Sequence, residues 1–188
     1  MTKRGRLFII SGPSGAGKTT LVSKLIEVDH SIYLSTSSTT RSMRVGEING
    51  VHYHFLSKDT FEEKVQNGDF IEYANVHGNW YGTQKSTVEQ ALDEGKCVIL
   101  EIDVQGARQV KEKMQDACLI FVTISIEALQ ARLKSRATDS DEIILTRLLN
   151  SKAEVEASAD YDYIIENDIF DTAFEELIAI IENERGRG

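Results

Sequence analysis

The chain reads as an α/β protein whose parallel sheet is flanked by helices. Apolar runs recur at Leu7-Phe8-Ile9-Ile10 and at positions 98–100, 119–124 and 163–165, with helical periodicity following or separating them. Runs without polar alternation suit strands covered on both faces, the setting of a parallel sheet. A last helix is plain from Phe170, Phe174, Leu177, Ile178 and Ile181, which recur every three or four residues. One region breaks the rhythm. Positions 35–83 are rich in Ser, Thr, Gly, Tyr and Arg, with short alternating pieces at 51–55 and 69–73 and a short helix near 59–66. This reads as a small mixed lobe inserted into the α/β core. A polar stretch between two helical patterns, Ser135-Arg136-Ala137-Thr138-Asp139-Ser140-Asp141, reads as a lid. The 188 residues then form one domain. Its core is 1–34, 84–134 and 152–188, its lobe 35–83 and its lid about 135–151. The tail, 184–188, is expected to fray.

The first strand leads into Gly12-Pro13-Ser14-Gly15-Ala16-Gly17-Lys18-Thr19, which fits G-x-x-x-x-G-K-[ST]. Thr20 and the apolar face of Leu21, Val22 and Leu25 follow. Strand, glycine loop and helix in this order are the context of the phosphate-binding loop of P-loop NTPases. The glycines let several backbone N–H groups converge on one concavity, and the helix N-terminus adds a positive dipole end. Lys18 brings a mobile charge to the outer phosphates, and the Thr19 hydroxyl can ligate Mg²⁺ directly.

The formal net charge of −9 disfavours a general grip on nucleic acid. Small anions are still within reach, because clustered Arg and Lys can focus positive potential in a cleft. The basic start, Met1-Thr2-Lys3-Arg4-Gly5-Arg6, runs straight into the first strand, so it is not read as a signal peptide. No apolar stretch is long enough for a bilayer, and the cytoplasm is the expected compartment. Cys97 and Cys118 lie in apolar runs and read as buried small hydrophobes, not as a disulfide. The histidines lack metal-site spacing; His52 and His54 are expected to share one solvated strand face.

An apolar strand closing in carboxylates, Cys97-Val98-Ile99-Leu100-Glu101-Ile102-Asp103, is the usual partner of such a loop. Residues two apart on a strand share a face. Glu101 and Asp103 would then look into the same cleft, with Asp103 helping to hold Mg²⁺ through water. In the lobe, Arg41 and Arg44 stand three apart in Ser37-Ser38-Thr39-Thr40-Arg41-Ser42-Met43-Arg44. Guanidinium forks grip phosphate oxygens bidentately, so this segment suits a second phosphate; alone, it would equally suit a polar surface loop.

Beyond these readings, Ser37-Ser38-Thr39-Thr40-Arg41 and Gly46-Glu47-Ile48-Asn49-Gly50-Val51-His52-Tyr53-His54-Phe55 resemble the guanylate kinase family. So do Gly68-Asp69-Phe70-Ile71-Glu72-Tyr73-Ala74, His77-Gly78-Asn79-Trp80-Tyr81-Gly82-Thr83 and Glu101-Ile102-Asp103-Val104-Gln105-Gly106-Ala107. The resemblance spans about residues 6–181. It implies an enzyme of purine nucleotide metabolism that transfers the γ-phosphoryl group of ATP to GMP, and to dGMP, with Mg²⁺. The backbone of Gly12, Pro13, Ser14, Gly15, Ala16, Gly17, Thr19 and Thr20, with Lys18, would hold the ATP phosphates, and Asn167 with Asp168 would lie on the adenine side. Arg41, Arg44, Tyr53 and Tyr81 would bind the GMP phosphate. Ser37, Glu72 and Thr83 would read guanine, with Asp103 beside them. Lys18, Arg41, Arg132, Arg136 and Arg147 would act on the transferring group. The chain departs from the family pattern at Met43, usually proline, at Ala137, usually glycine, and at Glu166, usually apolar; Ile124-Ser125-Ile126 lacks a common Pro-Pro pair.

Base chemistry agrees with the assignment of Glu72. Guanine presents N1–H and the 2-amino group as adjacent donors, and one carboxylate accepts both. Adenine would leave a buried carboxylate unpaired, a mismatch that can cost roughly 10⁴-fold. Two other readings stay open on the residues alone. One is a kinase for a different monophosphate or a phosphorylated sugar. The other is a guanylate-kinase-like binding module, although the intact loop with Lys18 and Thr19 argues for catalysis. The expected partners are ATP and GMP or dGMP, with neither nucleic acid nor membrane, and a monomer or small homo-oligomer.

Overall fold

The computed structural model describes residues 3–76, 78–135 and 157–187. Five parallel strands form the main sheet: β1 (Leu7–Ser11), β2 (Ile32–Leu34), β7 (Cys97–Glu101), β8 (Cys118–Thr123) and β9 (Tyr163–Glu166), in the order β2-β7-β1-β8-β9. The runs at the first strand and at 98–100, 119–124 and 163–165 thus became strands. β2 was not foreseen: three residues give too little pattern, and only Ile32 is buried.

Alternate residues of β1 feed two cores. Phe8 and Ile10 pack with Leu21, Val22 and Leu25 of α1 (Lys18–Val28) and with Ala173, Leu177 and Ile181 of the last helix. Leu7 and Ile9 pack with Val88 and Leu92 of α3 (Lys85–Asp93) and Val110 of α4 (Val104–Lys113). Both faces of the sheet are covered, which is why its strands show no polar alternation. Burying one such Phe, Ile or Leu stabilises by about 1.5–3 kcal/mol. Cys97 and Cys118 are buried and free, as expected.

A second sheet of four strands, β4-β3-β6-β5, comes from β3 (Ser38–Thr39), β4 (His54–Phe55), β5 (Phe70–Val76) and β6 (Asn79–Gln84). Helix α2 (Lys58–Gln66) lies within it, capped by the Ser57 hydroxyl, which accepts from the Thr60 N–H. Phe61 of α2 stacks on Phe70 with ring centroids 4.6 Å apart. The expected strand over 51–55 shrinks to two residues. His52 instead sits in a turn, where Nδ1 accepts from the Ile48 N–H at 3.1 Å, so it shares no strand face with His54.

β5 is an outer strand, and α4 meets its open edge. Gln109 accepts from the Tyr73 N–H at 3.2 Å and donates to the Tyr73 carbonyl at 2.8 Å, imitating a neighbouring strand. Lys113 donates to the Ile71 carbonyl. This seam ties the second sheet to the core and sets Glu72 against the first turn of α4.

Helix α5 (Ile126–Ser135) precedes the undescribed segment, and a short 3₁₀ turn (Ala157–Asp160) follows it. The final helix, α6 (Phe170–Arg187), overturns the expectation of a frayed tail. Glu184 is buried and accepts from Arg6 Nη2 at 2.6 Å and from the Tyr163 hydroxyl at 2.8 Å. Arg185 pairs with Asp29 at 2.6 Å. Contacts distant in sequence hold these polar residues, so composition alone read them as a loose end. Among the described residues, no helix is long and apolar enough to cross a membrane.

Candidate active site

β1 lies between β7 and β8, so the loop after β1 and the end of β7 open at the same sheet edge. Crevices at the carboxyl ends of parallel strands, where the order reverses, are where such sheets bind ligands. A cleft of about 490 Å³ opens here. Gly12, Ser14, Gly15, Gly17, Lys18, Thr19 and Thr20 line one side, Glu101, Ile102 and Asp103 the floor, and Ser37, Tyr53, Glu72, Ala74, Val76 and Tyr81 the side of the second sheet.

The loop is shaped for close approach. Gly12 has φ 143°, and a Cβ there would stand 1.9 Å from the Val122 carbonyl oxygen. Gly17 is the N-cap of α1 at φ 89° and offers no side-chain cap. The first-turn N–H groups of α1 therefore stay available to an anion, whereas Ser57 and Asp103 cap α2 and α4. Lys18 Nζ donates to the carbonyls of Gly12 and Pro13, curling over the loop it serves. Asn167 stands behind the loop, buried, and its amide donates to the Ala16 carbonyl at 2.6 Å. Asp168 accepts from the Ser125 N–H at 2.9 Å. Asn167 thus braces the loop from beneath and does not line the cleft.

The carboxylate pair is arranged differently from the strand-face expectation. β7 ends at Glu101, and Asp103 is the N-cap of α4, where Oδ1 accepts from the Gly106 N–H at 2.9 Å. Both acids line the cleft, but the Thr19 hydroxyl donates to Glu101, at 2.6 Å. The parallel register that sets Ile10 beside Glu101 brings them together. Sequence reasoning chose Asp103 of the pair; the signal for Glu101 was its place as the last residue of the strand.

On the opposite side, Glu72 is buried and accepts from the Thr83 hydroxyl at 2.6 Å. A bulge between Phe70 and Glu72 breaks the alternation of β5, so Phe70, Ile71 and Glu72 are all buried. Burial, partly offset by the Thr83 bond and reinforced by the charge of Asp103, pushes the Glu72 carboxyl up to about 7. Gly106 makes room for it: a Cβ at Gly106 would lie 2.6 Å from Glu72 Oε2. Gly106→Ala should therefore displace the carboxylate and weaken a ligand held on this wall by about tenfold, with a ligand on the loop little affected, as overpacking of this size costs about 1–3 kcal/mol. Separate binding measurements for the two sides of the cleft check this.

Tyr53 and Tyr81 meet edge to face, centroids 5.9 Å apart, on the same wall. Arg41 stacks behind Tyr53, its Cζ 5.4 Å from the ring centroid. Arg44 is exposed, and neither arginine lines the cleft itself. Arg132 lies on α5, whose backbone is described but whose side chain there is not. Arg136 and Arg147, with nearly all of the stretch expected to form a lid, lie outside the described residues.

A phosphate loop at the sheet's switch point, faced across one cleft by a buried carboxylate on a second sheet, places the chain in the class of P-loop nucleotide-binding proteins. Comparison with known proteins narrows the class. The family model described as guanylate kinase matches residues 4–184. The chain is 48% identical over 189 residues to the guanylate kinase of Agrobacterium fabrum, covering 100% of this chain and 86% of that one. It is 52% identical over 180 residues to that of Fusobacterium nucleatum, covering 95% and 97%. Among solved structures, guanylate kinase from Anaplasma phagocytophilum superposes with a TM-score of 0.81 at 32% identity, over 98% of this chain and 88% of that one. The chain belongs to the guanylate kinase family.

Proposed function

We propose that the cleft transfers the γ-phosphoryl group of ATP to GMP, giving ADP and GDP, with ATP on the loop and GMP on the second sheet. The observation that carries this reading is Glu72. A buried carboxylate, held by Thr83 and facing the phosphate loop across one cleft, accepts the N1–H and 2-amino donors of guanine. Ser37, beside it on the wall, is assigned to the base as well. Residues 35–83 are then the GMP-binding lobe and about 135–151 the lid. dGMP is accepted on the same grounds, since the base and phosphate carry the recognition.

The phosphate oxygen of GMP is already an anionic nucleophile, so no side chain need act as general base. Catalysis is positioning and neutralisation of charge spread over the transferring group. Lys18 leaves the Gly12 and Pro13 carbonyls for the outer phosphates. Arg41 holds the acceptor phosphate with Arg44, Tyr53 and Tyr81. Arg132, Arg136 and Arg147 are assigned to the transferring group by the family resemblance. Asn167 serves the ATP side by keeping the loop in shape.

The donor set fits Mg²⁺. The Thr19 hydroxyl and Glu101 carboxylate are hard oxygen donors 2.6 Å apart at the loop, with Asp103 on the same floor. Mg²⁺ commonly takes one or two protein oxygens and completes its shell with phosphates and water. Thr19 would bind it directly, Glu101 beside it and Asp103 through water, and its chemistry is to neutralise the β- and γ-phosphates. The reading makes the protein a cytoplasmic enzyme of purine nucleotide metabolism that works without nucleic acid, as a monomer or small homo-oligomer.

A coupled assay with GMP, dGMP, AMP, CMP and UMP tests the assignment. GMP and dGMP should turn over, and the others should fall roughly 10⁴-fold in kcat/KM. Comparable use of AMP or UMP would reject it.

A further inference from the structure

We propose that Glu47 is a positioning residue for Arg41, fixing the guanidinium so that one edge is presented to the phosphate of GMP. The inference rests on the reading of Arg41 as a phosphate ligand. Glu47 grips the group bidentately: Oε1 accepts from Nη2 at 2.7 Å and Oε2 from Nη1 at 3.1 Å. The Ser42 carbonyl accepts from Nη1 at 2.7 Å. A guanidinium carries five N–H donors in one plane. Glu47 and Ser42 take three of them. The other two, Nε–H and the second Nη2–H, lie side by side along one edge, the spacing that meets two oxygens of one phosphate.

The plane is held as well as the edge. Arg41 Cζ lies 5.4 Å from the Tyr53 ring centroid and 5.7 Å from that of Phe55. Tyr81 lies next to this guanidinium and lines the cleft with Tyr53. Glu47 also accepts from the Arg44 N–H at 2.7 Å, so one carboxylate sets the side chain of the first arginine and the backbone of the second. The Arg41 bonds and the Arg44 N–H hold its carboxyl at about 2, so it stays ionised throughout any working pH range. An arginine is long and loses much rotamer freedom on binding; one already fixed by a carboxylate has less to lose when phosphate arrives.

The opposite role has Glu47 occupying a fork that the phosphate must win. The two roles predict opposite signs. The test measures equilibrium binding of GMP and of guanosine, which lacks the phosphate, to wild type, Glu47→Gln, Glu47→Asp and Arg41→Ala. Glu47→Gln should weaken GMP by about tenfold to a hundredfold, the worth of a charge-assisted hydrogen bond, and leave guanosine unchanged. Glu47→Asp should recover part of the loss. Unchanged or tighter GMP binding in Glu47→Gln overturns the proposal, and so does an equal loss for GMP and guanosine, which would report a distorted lobe. If Arg41→Ala weakens GMP and Glu47→Gln does not, the proposal fails while the phosphate site stands. If Arg41→Ala leaves GMP binding unchanged, the reading of Arg41 itself fails and takes the proposal with it.

Discussion

Replacing Lys18 by alanine should lower kcat by about 10²–10³-fold, the usual cost of removing one group aimed at developing charge. Lys18 Nζ donates to the Gly12 and Pro13 carbonyls, which holds the half-buried ammonium over the loop and within reach of its anion. Its exchange from neutral carbonyls to phosphate oxygens gains most when charge on the transferring group peaks. The loss should therefore appear in kcat more than in the KM for GMP, which is assigned to the opposite wall. Single-turnover kinetics with saturating ATP and GMP measure it. Unchanged turnover in a folded Lys18→Ala protein would remove Lys18 from the mechanism.

Glu72→Gln should raise the KM for GMP by at least about a hundredfold, since a buried bidentate acceptor becomes half donor. The KM for ATP should move little. Equal losses for both nucleotides would argue against Glu72 as the reader of guanine. A pH dependence belongs to the same residue. Burial and the Asp103 charge hold Glu72 at about 7. Guanine offers donors, so only the ionised carboxylate accepts both. Below pH 7 the proton competes, and guanine affinity should fall about tenfold per pH unit; above pH 7 it should level off. Guanosine is the proper probe, because a phosphate monoester titrates near pH 6 itself. A flat profile for guanosine between pH 5.5 and 8 (a window bracketing about 7) would contradict this. Stability moves the other way. The folded value lies above the ordinary carboxylate range, so the folded state binds more protons between about 4.5 and about 7, and stability falls as pH rises through that window. Guanine donors paired with the charge would offset this cost.

Much of this protein is legible in its sequence. Leu7 to Ile10 had to be a strand, because an apolar run of that length bounded by a glycine loop has no other economical burial. The loop announced its chemistry because phosphate binding depends on backbone conformation, and backbone conformation depends on glycines at set positions. Glu72, Thr83, Tyr53 and Tyr81 were reached through resemblance, since no local pattern marks a residue 53 positions after Thr19 as its partner across a cleft.

Other features were out of reach of any one-dimensional pattern. Glu184 and Arg185 sit in a stretch that reads as a loose end, yet Arg6, Tyr163 and Asp29 hold them. The choice between Glu101 and Asp103 at the Thr19 hydroxyl turned on where β7 stops and on the register beside β1. Glu47 looks like one more acid in a polar loop until its carboxylate meets Arg41.

Local conformation and burial pattern are properties of neighbours in the chain, so the sequence alone determined the α/β class, the phosphate loop and the last helix. Strand register, the bulge before Glu72, the space left by Gly106 and the pairing of Glu47 with Arg41 depend on segments brought together from far apart. Only the tertiary structure could decide them, because hydrogen bonds and excluded volume act at ångström range and carry no signature in residue spacing.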